Sequence, residues 1–224
     1  MKIGIVIPAH NEALTISDCL ASVQTAMKQL PSTITAYPLV VLDICTDDTE
    51  SLVKAAGVDS LSCNYRHVGQ VRDLGIRHAI DKGATWLACT DADSVVPPDW
   101  LVEQIKHITE QTPDMICGVV SVDSWAHLTP QTKQAYIAHY QDKMGHRHIH
   151  GANLSFSAKA YLAVGGFTKL PCHEDVDLVK KFEDQNYDII WSNRVRVTTS
   201  SRLDARVTEG FAGFLANLEK GNLE

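Results

Sequence analysis

The sequence predicts an α/β sandwich, a mostly parallel central sheet covered by helices on both faces. Three observations carry that expectation. Continuous apolar runs at residues 3–7, 39–42, 85–90 and 115–122 read as strands buried on both sides. Helix-patterned segments alternate with them, as in parallel-sheet proteins. Carboxylates stand where strands end: Glu12, Asp43, and Asp91 with Asp93.

The elements follow in order. The run at 3–7 stops at Pro8, and Asn11 is a residue type that caps a following helix. In that helix Ile16, Leu20, Val23, Met27 and Leu30 keep one apolar face until Pro31. The strand at 39–42 ends at Asp43, and a short helix after Asp47 stops at Gly57. A weaker strand at 61–65 and a helix at 69–82 lead to the strand at 85–90. Pro97 and Pro98 open a helix bearing Leu101, Ile105 and Ile108. After the strand at 115–122 the rhythm changes, with helices near 132–140 and 174–184 and a strand near 153–156 followed by a short helix to Val164. Two strands, near 188–191 and 194–198, precede a last helix carrying Phe211, Phe214, Leu215 and Leu218, whose spacing reads as core or as a dimer contact.

Composition narrows the function. The 45% hydrophobic and 21% charged fractions are those of a globular protein, and 224 residues without repeat, low-complexity tract or linker predict one domain, 1–224. Its first half, 1–122, is of nucleotide-binding type, and its second, 123–224, is more variable. The net charge of −7 argues against a general nucleic-acid binder, which needs a basic face. An acidic protein that handles phosphates would instead recruit a metal cation. Six scattered cysteines with no CxxC pair read as reduced thiols, mostly buried, and exclude zinc-ribbon and thioredoxin readings. The opening apolar run is too short for a signal-peptide core, and no stretch of about 18 apolar residues exists to span a membrane. The chain is expected to be cytoplasmic, with no integral membrane segment.

Ligands of open α/β sheets bind beyond the carboxyl ends of the strands, which is where the carboxylates fall. Asp91-Ala92-Asp93 is the sharpest element. On an extended backbone its two carboxylates would point the same way, and oxygen-only ligation suits Mg²⁺ or Mn²⁺. Arg202, after the Thr198-Thr199-Ser200-Ser201 run, is a candidate phosphate contact; the alternative for that run is a polar surface turn.

Several motifs in order resemble the family 2 glycosyltransferases of GT-A fold. They are Ile5-Val6-Ile7-Pro8-Ala9-His10-Asn11-Glu12, then Val41-Leu42-Asp43 with Cys45-Thr46-Asp47-Asp48-Thr49, then Val68-Gly69 with Arg72 downstream. Asp91-Ala92-Asp93, Gly151-Ala152-Asn153, Gly165-Gly166-Phe167 and His173-Glu174-Asp175 complete the series, which covers about residues 3–205. The resemblance implies a single GT-A-type domain with a nucleotide-sugar-binding half and an acceptor and catalytic half. It implies that Pro8, Ala9, His10 and Glu12 meet the base and ribose, Asp43 the base, and Arg72 the donor phosphates. Asp91 and Ala92 would face the ribose or sugar, Asp93 with Asp91 would hold Mg²⁺ or Mn²⁺, and Asp175, with Glu174 beside it, would act as general base. The implied reaction is metal-dependent, inverting transfer of a hexose from a nucleotide-sugar to an acceptor hydroxyl.

The sequence departs from the family at His10, where Tyr is frequent, and at Ile44, which replaces a small or polar residue. It has no clear Gln-x-x-Arg-Trp element, which argues against a processive synthase. A nucleotidyltransferase would carry a glycine-rich basic loop after the first strand, and a Rossmann dehydrogenase a GxGxxG; neither is present. A silent nucleotide-sugar-binding protein stays open as the third alternative. Also open is whether His146, His148 and His150, which would share one face on a strand, hold Zn²⁺ or are simply solvated. The donor's base and sugar, the acceptor and the oligomeric state are not legible.

Overall fold

The computed structural model describes residues 1–203 and 210–221. Residues 204–209 and 222–224 fall within the half expected at 123–224, and 204–205 within the resemblance; they lie outside that description.

The first half is a parallel sheet in the order β3-β2-β1-β4, built from β1 (Lys2–Ala9), β2 (Thr35–Asp43), β3 (Asp59–Cys63) and β4 (Trp86–Cys89). The strand period of two assigns the faces. Ile3, Ile5 and Ile7 of β1 enter one apolar cluster with Ile16, Leu20 and Val23 of α1 (Ile16–Met27) and Val53 of α2 (Thr49–Ala55). Val6, on the other face, packs with Ile76 and Ala79 of α3 (Val68–Asp81). Each fully buried Ile, Leu or Val contributes about 1.5–3 kcal/mol, so this two-sided burial is what commits the run to a central strand.

The second half adds β5 (Ser94–Val95), α4 (Trp100–Gln111), β6 (Met115–Val122), α5 (Pro130–His139), β7 (Leu154–Ser157) and α6 (Ala158–Ala163). It ends with α7 (Glu174–Asp184), β8 (Ile189–Thr199) and α8 (Phe211–Glu219). The eight strands form one sheet, β3-β2-β1-β4-β7-β6-β8-β5. β7 runs antiparallel to β4 and β6, β8 parallel to β6, and β5 antiparallel to β8. Tyr136, Leu215 and Leu218 make a small separate cluster where α8 lies on α5. There the Glu219 carboxylate accepts the Thr129 amide that precedes α5.

Three expectations are corrected. Asn11 does not cap α1, which starts only at Ile16; Asn11 has φ of 55° and its Oδ1 accepts the Thr46 amide at 2.7 Å, tying two strand-end loops together. The two last strands are one, because β8 stays paired with β6 across an irregularity between Gly118 and Val119. Asn153 fills that irregularity, donating from Nδ2 to the carbonyls of Val119 (2.8 Å) and Val195 (2.9 Å) and accepting from Trp100 Nε1 (3.0 Å). Finally, no strand runs through residues 146–150. Among the described residues no helix is long and apolar enough to cross a membrane.

A Cβ at Gly118 would lie 2.2 Å from Asn153 Nδ2 and 2.5 Å from the Val195 carbonyl oxygen. Gly118→Ala must therefore displace a buried, fully engaged amide, and should cost at least about 2 kcal/mol. At about 2–4 °C per kcal/mol the loss is readable in a thermal melt, and a wild-type Tm would refute the bracing role of Asn153.

Candidate active site

Because β1, β2 and β4 are parallel, the loops leaving their carboxyl ends converge on one edge of the sheet. Pro8, Ala9, His10, Glu12, Asp43, Asp91, Ala92 and Asp93 from those loops line a cavity of about 710 Å³ together with Arg72 and Arg202. Every residue expected to meet a nucleotide-sugar is thus brought to one place. Ile44 and Val68, which the family motifs had marked, also line it, as do Arg66, His67, Val71 and Pro171, for which no sequence signal had pointed to the site. Asp43 is 7% exposed and accepts the amides of Tyr65 and Arg66, each at 2.8 Å; His10 donates from Nδ1 to the Asp43 carbonyl.

Asp91-Ala92-Asp93 is not extended. The Ser94 amide bonds back to the Asp91 carbonyl at 3.0 Å, so the segment turns, and its two carboxylates take different arginines. Asp91 meets Arg72 at 2.7 Å, and Asp93 meets Arg202 at 2.9 Å. Arg202 also holds both carboxylate oxygens of Glu12, at 2.8 and 2.9 Å, in the bidentate geometry favoured by guanidinium. Burial, and then the charge of Asp91, push the Asp93 carboxyl up to about 6, against the pull of Arg202. Four carboxylates against three guanidiniums line this cavity, so a diphosphate would meet no net positive charge from them. The pair Asp91 and Asp93 offers hard oxygen donors and fits a divalent cation that keeps other positions for ligand oxygens.

Arg72 closes the cavity on the far side. It is 3% exposed and spans Asp91 and Glu174, with Nη2 on the former and Nη1 on the latter. Burial opposes its charge, but the two carboxylates outweigh that and drive its pKa upward. Backbone makes room for it: a Cβ at Gly151 would sit 2.7 Å from the guanidinium, and one at Gly69 would sit 2.9 Å from the Glu174 side chain.

Beyond Arg72 and Asp91 lies a second cavity of about 380 Å³, sharing with the first those two residues, Val68 and Pro171, and lined also by Glu174, Asp175, Tyr140, His150 and Phe211. Asp175 sits in the first turn of α7, where negative charge suits the helix dipole. Its Oδ2 accepts the Gly151 amide at 2.8 Å and its Oδ1 the Val176 amide at 2.9 Å, which fixes the carboxylate without using all its lone pairs. Glu174, by contrast, is 6% exposed with its carboxylate on Arg72.

The three spaced histidines do not converge. Their rings are arranged with the tyrosines: Tyr140 stacks on His148 at 4.1 Å, and His146 stands 5.6 Å behind His148. Among the described residues no group of three or more His, Cys, Asp or Glu side chains is placed to hold a metal ion.

The Arg72 cluster generates a direct test. Arg72→Met leaves two acids, one of them buried, without their cation and should destabilise by about 3–5 kcal/mol. Adding Glu174→Gln should recover part of that loss, because the stranded buried charge is gone. Equal denaturation midpoints for the two variants would contradict a charge origin.

Comparison with known proteins places this geometry. No curated protein matches the chain. Among solved structures, S. aureus TarS in complex with UDP-GlcNAc superposes with a TM-score of 0.72 at 16% identity, covering 94% of this chain and 62% of that one. The mannosyltransferase PcManGT from Pyrobaculum calidifontis, in complex with GDP-Man and Mn²⁺, gives 0.68 at 19% identity, covering 88% and 56%. GalNAc-T7 with UDP, GalNAc and Mn²⁺ gives 0.68 at 15% identity, covering 91% and 44%. The chain thus spans less than two thirds of each, and shares with them the GT-A fold. The model of glycosyl transferase family 2 matches residues 4–161, which takes in all three acidic strand ends of the larger cavity. That match spans well over half the sequence, and the chain belongs to glycosyl transferase family 2.

Proposed function

We propose that this chain transfers a hexose from a nucleoside-diphosphate sugar to an acceptor hydroxyl, with divalent-metal dependence and inversion at the anomeric carbon. The observation that carries the reading is the pair of adjoining cavities, one rimmed by strand-end carboxylates and the other holding Asp175, divided by Arg72 and Asp91. The sugar nucleotides bound by the structural neighbours, UDP-GlcNAc in TarS and GDP-Man in PcManGT, support the donor class. Mn²⁺ in PcManGT and GalNAc-T7 supports the metal. The six free thiols support a reducing, cytoplasmic setting.

In this reading the nucleoside end of the donor lies over Pro8, Ala9 and His10 and against Asp43. Asp91 and Asp93 would hold Mg²⁺ or Mn²⁺, which supplies positive charge to the departing diphosphate. Arg202 leaves Glu12 and Asp93 for a phosphate oxygen once that charge is met from elsewhere. Arg72 orients Asp91 and Glu174 rather than binding phosphate, since both its ends are engaged by carboxylates. Asp175 takes the proton of the acceptor hydroxyl as its oxygen bonds to the sugar's C1 and the bond to the diphosphate breaks. Attack from the second cavity, opposite the leaving group, inverts the centre.

Thermal shifts with UDP-, GDP-, dTDP- and CMP-sugars, each with Mn²⁺, Mg²⁺ or EDTA, test the donor site. One nucleotide at 100 times its Kd should stabilise the fold by about 2.7 kcal/mol. Asp93→Asn should lose the part that EDTA removes, and absence of any shift in the wild type would overturn the donor reading. Asp175→Asn should lower turnover by about 10²–10⁴-fold with donor affinity retained. Turnover preserved with donor binding lost would remove Asp175 from the role of base.

A further inference from the structure

The second cavity contains a hydrogen-bond chain that the reaction above does not use. The Tyr140 hydroxyl accepts the Val120 amide at 2.8 Å and lies 3.0 Å from His150 Nε2. A backbone amide only donates, so the hydroxyl has its own hydrogen for Nε2. The hydroxyl of Tyr136, stacked on Tyr140 at 4.9 Å, has both the Val120 carbonyl and the Tyr140 hydroxyl as acceptors, and donating to either leaves the Tyr140 hydrogen for Nε2. Assigning that hydrogen to Nε2 puts the imidazole proton on Nδ1, for which no partner is found among the described residues. Burial, with His148 and His146 adding to it, holds the His150 pKa down at about 3, so the ring is uncharged at working pH. His150 directly precedes Gly151, whose amide fixes Asp175, and it lines the same cavity as that carboxylate.

The charge of the cavity restricts what can enter. Arg72 is the one Arg or Lys side chain among its described lining residues, and Asp91 and Glu174 already neutralise it. Asp175 adds a further carboxylate, while Phe211 and Phe214 add apolar surface to the lining. A phosphate or carboxylate here would lose its hydration and meet no Arg or Lys among the described lining residues that is not already paired.

Resting on the transferase reading, we propose that this cavity takes an uncharged, hydroxyl-bearing saccharide as acceptor, and that Nδ1–H of His150 holds one of its oxygens beside the hydroxyl facing Asp175. His150 is then a specificity-determining residue, and Tyr140 a positioning residue that sets its tautomer. A polyol ring matches such a lining, with oxygens to accept the imidazole proton and apolar C–H edges for the phenylalanines.

Calorimetric titration of p-nitrophenyl hexosides, and of the corresponding hexose 6-phosphates, tests this with and without UDP or GDP and Mn²⁺. At least one neutral hexoside should bind, with its phosphorylated counterpart at least tenfold weaker. His150→Ala should weaken hexoside binding at least tenfold. His150→Asn, whose amide nitrogen can replace the Nδ1 donor, should restore most of it, and Tyr140→Phe should fall between. The same samples titrated with nucleotide alone report the donor site, so loss of nucleotide binding with His150-dependent hexoside binding intact would fell the donor reading only. Tighter binding of a hexose phosphate, no hexoside binding to the wild type, or wild-type affinity in His150→Ala would overturn the proposal. Equal defects in His150→Ala and His150→Asn would overturn the donor role of Nδ1.

Discussion

The site depends on one buried cation. Arg72 comes from α3, Asp91 from the turn after β4, and Glu174 from the start of α7, 102 residues along the chain from Arg72. A guanidinium at 3% exposure is tolerable only with both its carboxylates in place, and Glu174 at 6% exposure only with its guanidinium. Each partner therefore fixes the other two. The consequence is geometric: the first half of the chain and the second are locked where the two cavities meet. Gly69 and Gly151 are part of the same constraint, because a side chain at either would occupy the space of the ion pairs.

A second group of charges is built to be rearranged. Arg202 spans Glu12 and Asp93 but is about a third exposed, unlike Arg72. Its pairing is weaker for that reason, since solvent screens it and its desolvation is incomplete. Asp93 stays electrostatically uncomfortable even with Arg202 present, as its raised pKa records. A carboxylate held in that condition has a standing preference for more positive charge nearby. The two arginines thus divide the labour: one is a fixed brace and the other a replaceable counter-ion.

The second cavity is governed by packing as much as by charge. Tyr136, Tyr140 and His148 are stacked side by side, and Trp191 meets His146 edge-on under the Arg147 guanidinium. Offset and edge contacts of this kind hold ring orientation, so polar ring atoms that reach the cavity do so at fixed positions. Asp175 is equally fixed, by two backbone amides. Rigid polar groups and phenylalanines in one lining suit a ligand recognised by shape and hydrogen bonding.

Much of this was legible from residue order. Buried β-branched runs have to become central strands, and acids at the ends of parallel strands have to share an edge; hence Glu12, Asp43, Asp91 and Asp93 could be assigned to one site, and the family resemblance added Pro8, Ala9, His10 and Ala92. The apolar run at 115–122 also coincides with β6, and the helix expected at about 174–184 with α7. What failed were inferences from neighbours along the chain to orientation in space: Asn11 as a cap, an extended Asp91-Ala92-Asp93, and three histidines on one strand face. The first two were decided by partners far away in sequence, namely Thr46 for Asn11 and Arg72 and Arg202 for the two aspartates, and the histidines by stacking on Tyr140, ten residues before His150. The sequence by itself determined which strand-end acids reach the site, because strand polarity and burial are local properties. Only the tertiary structure decided what each one faces there, because a buried charge or ring takes its direction from whatever partner the fold brings within hydrogen-bonding or stacking distance.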